Sequence, residues 1–276
     1  MPRPGKSNVR WWLIFWMFIL SAVAFLDRVN ISIAGSSIAA SYHLSNVQLG
    51  SVFSALLWGY ALFQTVGGRL ADCFGPRRVL AAGVVWWGVF TALTAAVPAG
   101  VRNALILLIA TRFLLGAGEA VVYPASNQFV ARWIPMQERG IANGWIFAGV
   151  GAGAGLTPPL ITYLMLDYGW RASFWVCSGI GLVAGAVWYL LARDAPAEHP
   201  LVSEQELAHI QSGLVQPGLA AADETLAGQR QPDLVPWSRV FASPDVIAIT
   251  LSYFSFGYVA WIFFSWFYIY LAQVRG

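Results

Sequence analysis

Seven largely apolar stretches run through this chain, and each has the ~20 residues that an α-helix needs to cross a hydrocarbon core of ~30 Å. The chain is 58% hydrophobic and only 11% charged, so it cannot cover its surface with groups that bind water. The pattern predicts an all-α transmembrane bundle in a lipid bilayer. Its helices are expected at residues 11–36, 46–68, 78–97, 104–131, 139–166, 172–192 and 246–272.

The segment between the sixth and seventh apolar stretches differs in kind, because it is polar, acidic and contains prolines. Within it, Ser203 and Glu206 have the spacing of a capping box, which predicts one short surface helix. Six helices followed by a linker suggest a second half that repeats the first, so we expect the sequence to be incomplete after its last residue. The predicted domains are a six-helix bundle over 1–192, a cytoplasmic linker over 193–244 and the first helix of an incomplete second bundle over 245–276.

Basic residues indicate how the predicted helices are oriented. Arg3, Lys6 and Arg10 precede the first helix, and the connections after helices two, four and six carry further arginines. The opposite connections hold only Arg102 and Arg171. Because Lys and Arg concentrate on cytoplasmic loops, the pattern predicts a multi-pass protein of the cytoplasmic membrane with its N-terminus in the cytoplasm. The formal charge of +3 comes from these loops, so no nucleic-acid partner is expected.

Four ionisable residues interrupt the apolar stretches: Asp27 and Arg28 in the first, Arg112 and Glu119 in the fourth. A charge at bilayer depth costs roughly 2.5–3.5 kcal/mol on insertion scales, so it persists only when it faces a protein interior or a wet cavity. Arg112 and Glu119 lie two helical turns apart and share a face. Adjacent Asp27 and Arg28 diverge by ~100°, so we expect at least one to pair across helices. The neutralising pairs are Arg28 with Glu119 and Asp27 with Arg112.

These four charges sum to zero, so a single proton or a single anion unbalances them, as a proton-coupled carrier requires. The competing interpretation is a set of structural ion pairs. We favour the functional one because apolar helices pack without buried charges, and breaking buried pairs is costly. Tyr60, Gln64 and Asn30 are candidate contacts for the hydroxyl groups of a polar substrate, although a neighbouring helix could equally satisfy each of them.

No residue pattern points to catalysis, a metal or a cofactor. The sequence has three histidines, all in predicted loops, and no Ser-His-Asp set. Its two cysteines, Cys73 and Cys177, have no metal-binding spacing, and we interpret them as ordinary small residues. We therefore expect a protein that is not an enzyme and that uses no cofactor.

The segment joining helices two and three reads Gly68-Arg69-Leu70-Ala71-Asp72-Cys73-Phe74-Gly75-Pro76-Arg77-Arg78. Its glycines allow a tight turn, and its aspartate can meet a helix N-terminus or a basic group. The order Gly-x-x-x-Asp-x-x-Gly-x-Arg-Arg resembles the cytoplasmic loop motif of the major facilitator superfamily. The resemblance implies a conformational role for Gly68, Asp72, Gly75, Arg77 and Arg78.

Two more segments resemble the anion:cation symporters, the branch of that superfamily that holds bacterial sugar-acid carriers. They are Phe25-Leu26-Asp27-Arg28-Val29-Asn30-Ile31-Ser32-Ile33-Ala34 and Arg112-Phe113-Leu114-Leu115-Gly116-Ala117-Gly118-Glu119-Ala120. The resemblance implies proton coupling by Asp27 and Glu119, and handling of an anionic substrate by Arg28 and Arg112. Phe25 stands where sugar-acid carriers often have Tyr, which removes one possible hydroxyl contact.

The resulting expectation is proton-coupled symport of a small organic anion, such as a hexonate, hexarate or hexuronate, by a carrier that works as a monomer at full length. A carrier or exporter of aromatic or dicarboxylic acids remains an alternative, as does a non-transporting sensor on a transporter fold. In the fifth predicted helix the small residues suggest either a surface that moves during transport or simple tight packing. They are Gly149, Gly151, Gly153 and Gly155.

Overall fold

The computed structural model describes residues 7–214 and 242–271, and all regular structure within them is helical. The backbone contacts divide the chain into two compact units, Met1–Leu214 and Val215–Gly276. The described part of the predicted linker, 193–214, thus belongs with the first unit. The rest of that linker, 215–241, lies outside the described residues.

The first unit contains eight α-helices among its described residues, and the second contains α9, a single apolar helix. Seven segments of the described chain are long and apolar enough to cross a membrane, with α4 and α5 together forming one of them. The predicted all-α transmembrane fold is confirmed. The helices are α1 Val9–Tyr42, α2 Asn46–Phe74, α3 Pro76–Ala96, α4 Ala104–Glu119, α5 Val122–Trp133, α6 Arg139–Tyr168, α7 Trp170–Leu191, α8 Glu204–Leu214 and α9 Pro244–Tyr270.

The fourth predicted helix is interrupted in the structure, which the prediction of one continuous helix over 104–131 missed. α4 ends at Glu119, and α5 begins at Val122, three residues later. The cause is Pro124 in the first turn of α5, because proline has no N–H to donate to the carbonyl of Ala120 and its ring crowds that carbonyl. The break leaves Glu119 at the C-terminal end of α4, deep inside the bundle.

The connection between α2 and α3 is shorter than predicted. α2 continues to Phe74 and α3 begins at Pro76, so the predicted loop from Gly68 to Arg78 is almost entirely helical. Gly75 alone links the two helices, and its φ of 83° lies in the left-handed region that favours glycine. Proline then suits the first position of α3, where its missing N–H costs no hydrogen bond.

Glycines allow α6 to approach α1 closely. A Cβ atom on Gly149 would overlap the carbonyl of Phe18, and one on Gly153 would overlap the carbonyl of Ala22. A Cβ atom on Gly151 would have nothing within 4 Å apart from its chain neighbours and the nearby backbone of α6. Of the two interpretations of this glycine run, tight packing therefore holds for the face towards α1, and the other face stays open.

α2 and α4 meet in the same way. A Cβ atom on Gly59 would overlap the carbonyl of Phe113, and one on Gly116 would overlap the carbonyl of Leu56. Bulkier residues at these two positions would force the helix backbones apart. The close approach sets the backbone of Tyr60 beside Gly116 of α4.

α8 lies against the start of α1, and the short helix predicted in the linker is confirmed. The amide of Glu206 donates to Ser203 Oγ at 3.2 Å, as a capping box requires. The Glu206 carboxylate instead reaches α1, where it accepts hydrogen bonds from the amides of Val9 and Arg10, both at 3.1 Å. One buried carboxylate thus satisfies two of the free N–H groups with which α1 begins.

Candidate functional site

Arg28 and Glu119 form a buried ion pair between α1 and α4. Arg28 Nε donates to Glu119 Oε2 at 2.6 Å, and the two side chains are only 8% and 0% exposed. This is one of the two pairs predicted from the sequence. The Arg28 guanidinium also lies 4.6 Å from the ring centroid of Tyr60 and 5.4 Å from that of Phe25. Both rings present their negative faces to the guanidinium, so cation–π attraction adds to the ion pair in holding Arg28 in place.

Asp27 points to a different neighbour. Its Oδ2 accepts a hydrogen bond from Thr91 Oγ1 of α3 at 3.1 Å. The predicted pair between Asp27 and Arg112 is wrong at contact distance, because the described residues show no ion pair within 4 Å that joins them. Geometry explains the difference, since Asp27 and Arg28 lie about 100° apart around α1. The Arg28 side chain contacts α4, and the Asp27 side chain contacts α3.

Three of the four charged side chains keep buried polar atoms without a hydrogen-bond partner among the described residues. These atoms are Asp27 Oδ1, Arg112 Nε and Nη1, and Glu119 Oε1. The residues that carry them are at most 1% exposed. Buried polar groups without partners are rare in folded proteins and cost free energy, unless water or a ligand satisfies them. Arg112 therefore offers two donors to an anion, and each carboxylate offers an oxygen to a proton.

Asn30 belongs to a separate polar contact between α1 and α7. Its Oδ1 accepts a hydrogen bond from Ser173 Oγ at 2.8 Å, and its Nδ2 donates to Cys177 Sγ at 3.5 Å. The structure thus does not place Asn30 beside Arg28, and its role in substrate binding stays a prediction. Cys177 is more than a small filler, because its sulfur accepts this hydrogen bond. No pattern in the sequence singled out Thr91 or Ser173, since both are ordinary polar residues in apolar helices.

The other two candidate substrate contacts lie on α2. Tyr60 is half-buried next to the Arg28 guanidinium. Gln64 is also half-buried, one helical turn beyond Tyr60. Tyr60 therefore lies with the ion pair, and Gln64 follows it on the same face of α2.

An aspartate from the end of the bundle fills the space beside Gly75. A Cβ atom at Gly75 would meet the carboxylate of Asp194, whose Oδ1 accepts a hydrogen bond from the amide of Arg77 at 3.0 Å. The Arg77 side chain donates to the carbonyl of Tyr189 from Nε at 3.0 Å and from Nη2 at 2.7 Å. These contacts tie the α2–α3 turn to the end of α7, and the sequence did not reveal Asp194 as the partner.

The remaining motif residues have different surroundings. Asp72, within the last turn of α2, accepts a hydrogen bond from Gln128 of α5 rather than pairing with a basic group. A Cβ atom on Gly68 would be in ordinary contact with Pro124, at 3.7 Å. Arg78 is exposed in the first turn of α3. The conformational role of this motif stays a prediction.

The four connections that were predicted to be cytoplasmic lie on one face of the first unit. Arg10, next to the start of α1, contacts Glu138 before α6 at 3.2 Å. Trp133 at the end of α5 donates to the carbonyl of Arg193 after α7 at 3.0 Å. The hydrogen bond from Arg77 to the carbonyl of Tyr189 places the α2–α3 turn on the same face. This grouping agrees with the alternation of basic residues, and which side of the membrane the face meets stays a prediction.

The described chain is thus a polytopic helical bundle with a buried, partly unsatisfied ion network that joins α1 and α4. Residues 17–276 match the Major Facilitator Superfamily, and the chain belongs to that family. The family resemblance predicted from the sequence is confirmed. The relatives of this chain carry the names of transporters, which also confirms the prediction that the protein is not an enzyme.

The chain is 32% identical to the probable galactarate/D-glucarate transporter GudP of Bacillus subtilis, over all of this chain and 60% of that protein. It is 33% identical to the probable sulfoacetate transporter SauU of Cupriavidus necator, over 94% of this chain and 56% of that protein. It is also 33% identical to the probable galactarate/D-glucarate transporter GarP of Escherichia coli K12, over 98% of this chain and 61% of that protein. The chain thus spans less than two thirds of the length of these relatives.

Solved structures show the same fold. A bacterial homolog of the human lysosomal transporter Spinster, in an inward-facing and unoccupied conformation, superimposes with a TM-score of 0.69 at 19% identity, over 99% of this chain and 57% of the other. The proton:xylose symporter XylE bound to 6-bromo-6-deoxy-D-glucose superimposes with a TM-score of 0.61 at 18% identity, over 78% of this chain and 51% of the other. At these identities the likeness concerns the fold alone.

Proposed function

We propose that the full-length protein is a secondary active transporter that carries a small organic anion together with protons across the cytoplasmic membrane. The observation that carries the proposal is the set of unpartnered buried atoms on Asp27, Arg112 and Glu119. A structural ion network would satisfy its own members, because unpaired buried charges are costly. Atoms left free in a buried network are those that a passing ion or proton would use.

The substrate class follows from the two arginines. Guanidinium groups recognise carboxylates and related oxyanions through paired N–H donors, and Arg112 has two donors without a partner in the described chain. Galactarate, D-glucarate and sulfoacetate, which appear in the names of the relatives, each carry two anionic groups. We propose a sugar acid, in particular a dicarboxylic one, with Tyr60 and Gln64 close enough to meet its hydroxyl groups.

Coupling follows from competition for Arg28. An anion that binds this arginine weakens the contact between Arg28 and Glu119, which now measures 2.6 Å. A carboxylate that loses its cation in a dry interior is stabilised by taking up a proton. Substrate binding and proton binding then favour each other, and by linkage the effect is reciprocal. Asp27, which keeps one oxygen free, is the second proton acceptor.

The test is transport by the full-length protein in liposomes with an imposed pH gradient. We expect the wild type to concentrate galactarate or D-glucarate, and Asp27→Asn and Glu119→Gln each to abolish accumulation while substrate-for-substrate exchange continues. Asp167→Asn is the control, because Asp167 is an exposed acid at the end of α6. Accumulation that survives in both variants would show that the two acids are structural. Binding without any flux in the wild type would favour a sensor.

A further inference from the structure

Two apolar grooves run along the outside of α3. One lies between α2, α3 and α4 and has a volume of about 610 Å³. The other lies between α3 and α7 and has a volume of about 740 Å³. The two grooves share three lining residues, Arg78, Ala82 and Trp86, all exposed and spaced four residues apart along α3. A single ridge of α3 thus separates two grooves of similar size.

Among the residues that the structure describes, Arg78 alone is charged in the lining of either groove. Within the described chain its guanidinium makes no hydrogen bond and no ion pair. Arg77, its neighbour, is held by Asp194 and by the carbonyl of Tyr189 and is therefore not available. Arg78 accordingly places one uncompensated cation at the end of α3 where both grooves begin.

The walls of the grooves are fixed. The indole N–H of Trp86 donates to the carbonyl of Leu114 at 2.7 Å, so its ring lies over α4 and its polar atom is satisfied. Eight residues separate Arg78 from Trp86, which corresponds to ~12 Å of helix. Beyond the arginine the linings are hydrocarbon and aromatic, as acyl chains require.

From this arrangement we infer that Arg78 and the two grooves form a binding site for one anionic diacyl phospholipid. The phosphate of the headgroup pairs with the Arg78 guanidinium, and one acyl chain lies in each groove on either side of the α3 ridge. A basic residue next to an apolar groove between membrane helices is suited to an anionic headgroup. A third groove, between α2 and α4 near Val47 and Phe113, is of similar volume, about 770 Å³, but has no charged lining residue.

The test is native mass spectrometry of the delipidated full-length protein, to which phosphatidylglycerol or phosphatidylcholine with the same acyl chains is added back. We expect one phosphatidylglycerol to be retained with about fivefold preference, the ratio that a single basic residue supplies. Arg78→Gln should remove the preference and Arg78→Lys should keep it. Arg102→Gln is the matched control, because Arg102 is an exposed arginine in the connection between α3 and α4.

A second variant tests the grooves separately from the charge. Ala82→Phe fills part of both grooves at an exposed position, so the fold is retained, and we expect it to lower the retained phosphatidylglycerol although Arg78 is intact. Equal retention by wild type, Arg78→Gln and Ala82→Phe would overturn the inference. Displacement of the lipid by inorganic phosphate would also overturn it, by showing a site for free anions. Failure of the wild type to retain phosphatidylglycerol would overturn it as well.

Discussion

Asp27 and Arg28 are neighbours in the chain but contact different helices from α1. Arg28 pairs with Glu119 of α4, whereas Asp27 accepts a hydrogen bond from Thr91 of α3. These adjacent residues therefore connect α1 to both α3 and α4 from a single helical turn. A shift of α1 that breaks one contact necessarily changes the other, because both side chains start from the same turn.

The first residue to replace in this network is Arg112. We expect Arg112→Ala to abolish binding of galactarate or sulfoacetate to the purified full-length protein, because the free donors of the site are then lost. Arg112→Lys should retain weak binding, since it keeps the charge but loses the planar fork. Arg102→Ala is the control at an exposed position. Calorimetric titration measures the affinity of all three variants for these anions. Unchanged affinity in a folded Arg112→Ala protein would show that Arg112 is not part of the substrate site.

The sequence predicted part of this site for a physical reason. The cost of burying charge singled out Asp27, Arg28, Arg112 and Glu119, and helical spacing allowed the pair between Arg28 and Glu119. Thr91 could not be found in this way, because a threonine in an apolar helix satisfies its hydroxyl on its own backbone as often as on a partner. The direction of Asn30 towards α7 also required the packing of the whole bundle.

At the scale of the helices, α1 and α6 behave as one packed unit because glycines bring their backbones together. We expect Gly153→Val to destabilise the protein by about 1–3 kcal/mol, since a side chain there would overlap the carbonyl of Ala22. Gly151→Val is the matched control, because its position is open on the same helix. Thermal unfolding in detergent compares the two variants. Equal loss from both would show that helix propensity, rather than packing, dominates.

α8 is attached to α1 mainly through one carboxylate. We expect Glu206→Gln to increase hydrogen exchange across Glu204–Leu214 by about tenfold or more, because an amide nitrogen cannot accept from the amides of Val9 and Arg10. Glu204→Gln is the control at an exposed acid of the same helix. Hydrogen exchange of the intact protein, followed by mass spectrometry, measures this effect. Similar protection in both variants would mean that apolar packing alone holds α8.

The existence of the helices could be predicted from length and hydropathy, but their ends and breaks could not all be found. The interruption after Glu119 had a visible signal in Pro124, which lies inside an otherwise continuous apolar stretch. The extension of α2 to Phe74 had none, since Gly68 and Asp72 are poor helix formers. Contacts with α5 and with Pro124 outweigh that weak local preference.

For the whole molecule, the contacts place four connections on one face, and the arginine pattern predicts that this face is cytoplasmic. With Cys73 and Cys177 replaced by serine, we expect Val101→Cys to react with a membrane-impermeant maleimide in intact cells. Ser212→Cys should react only after permeabilisation. Both positions are exposed and lie on opposite sides of the predicted membrane. Labelling of Ser212→Cys in intact cells would reverse the topology.

The buried acids of the network also fix how the carrier would respond to membrane voltage. Every uncompensated charge that moves across the bilayer couples to the potential with ~2.3 kcal/mol per 100 mV. A dianion that arrives together with one proton on Asp27 and one on Glu119 adds no net charge to the loaded interior. If the two acids act as the proton acceptors that we propose, uptake of a dicarboxylate is electrically silent, whereas a monoanion carried with the same two protons would draw an inward current of one positive charge per cycle.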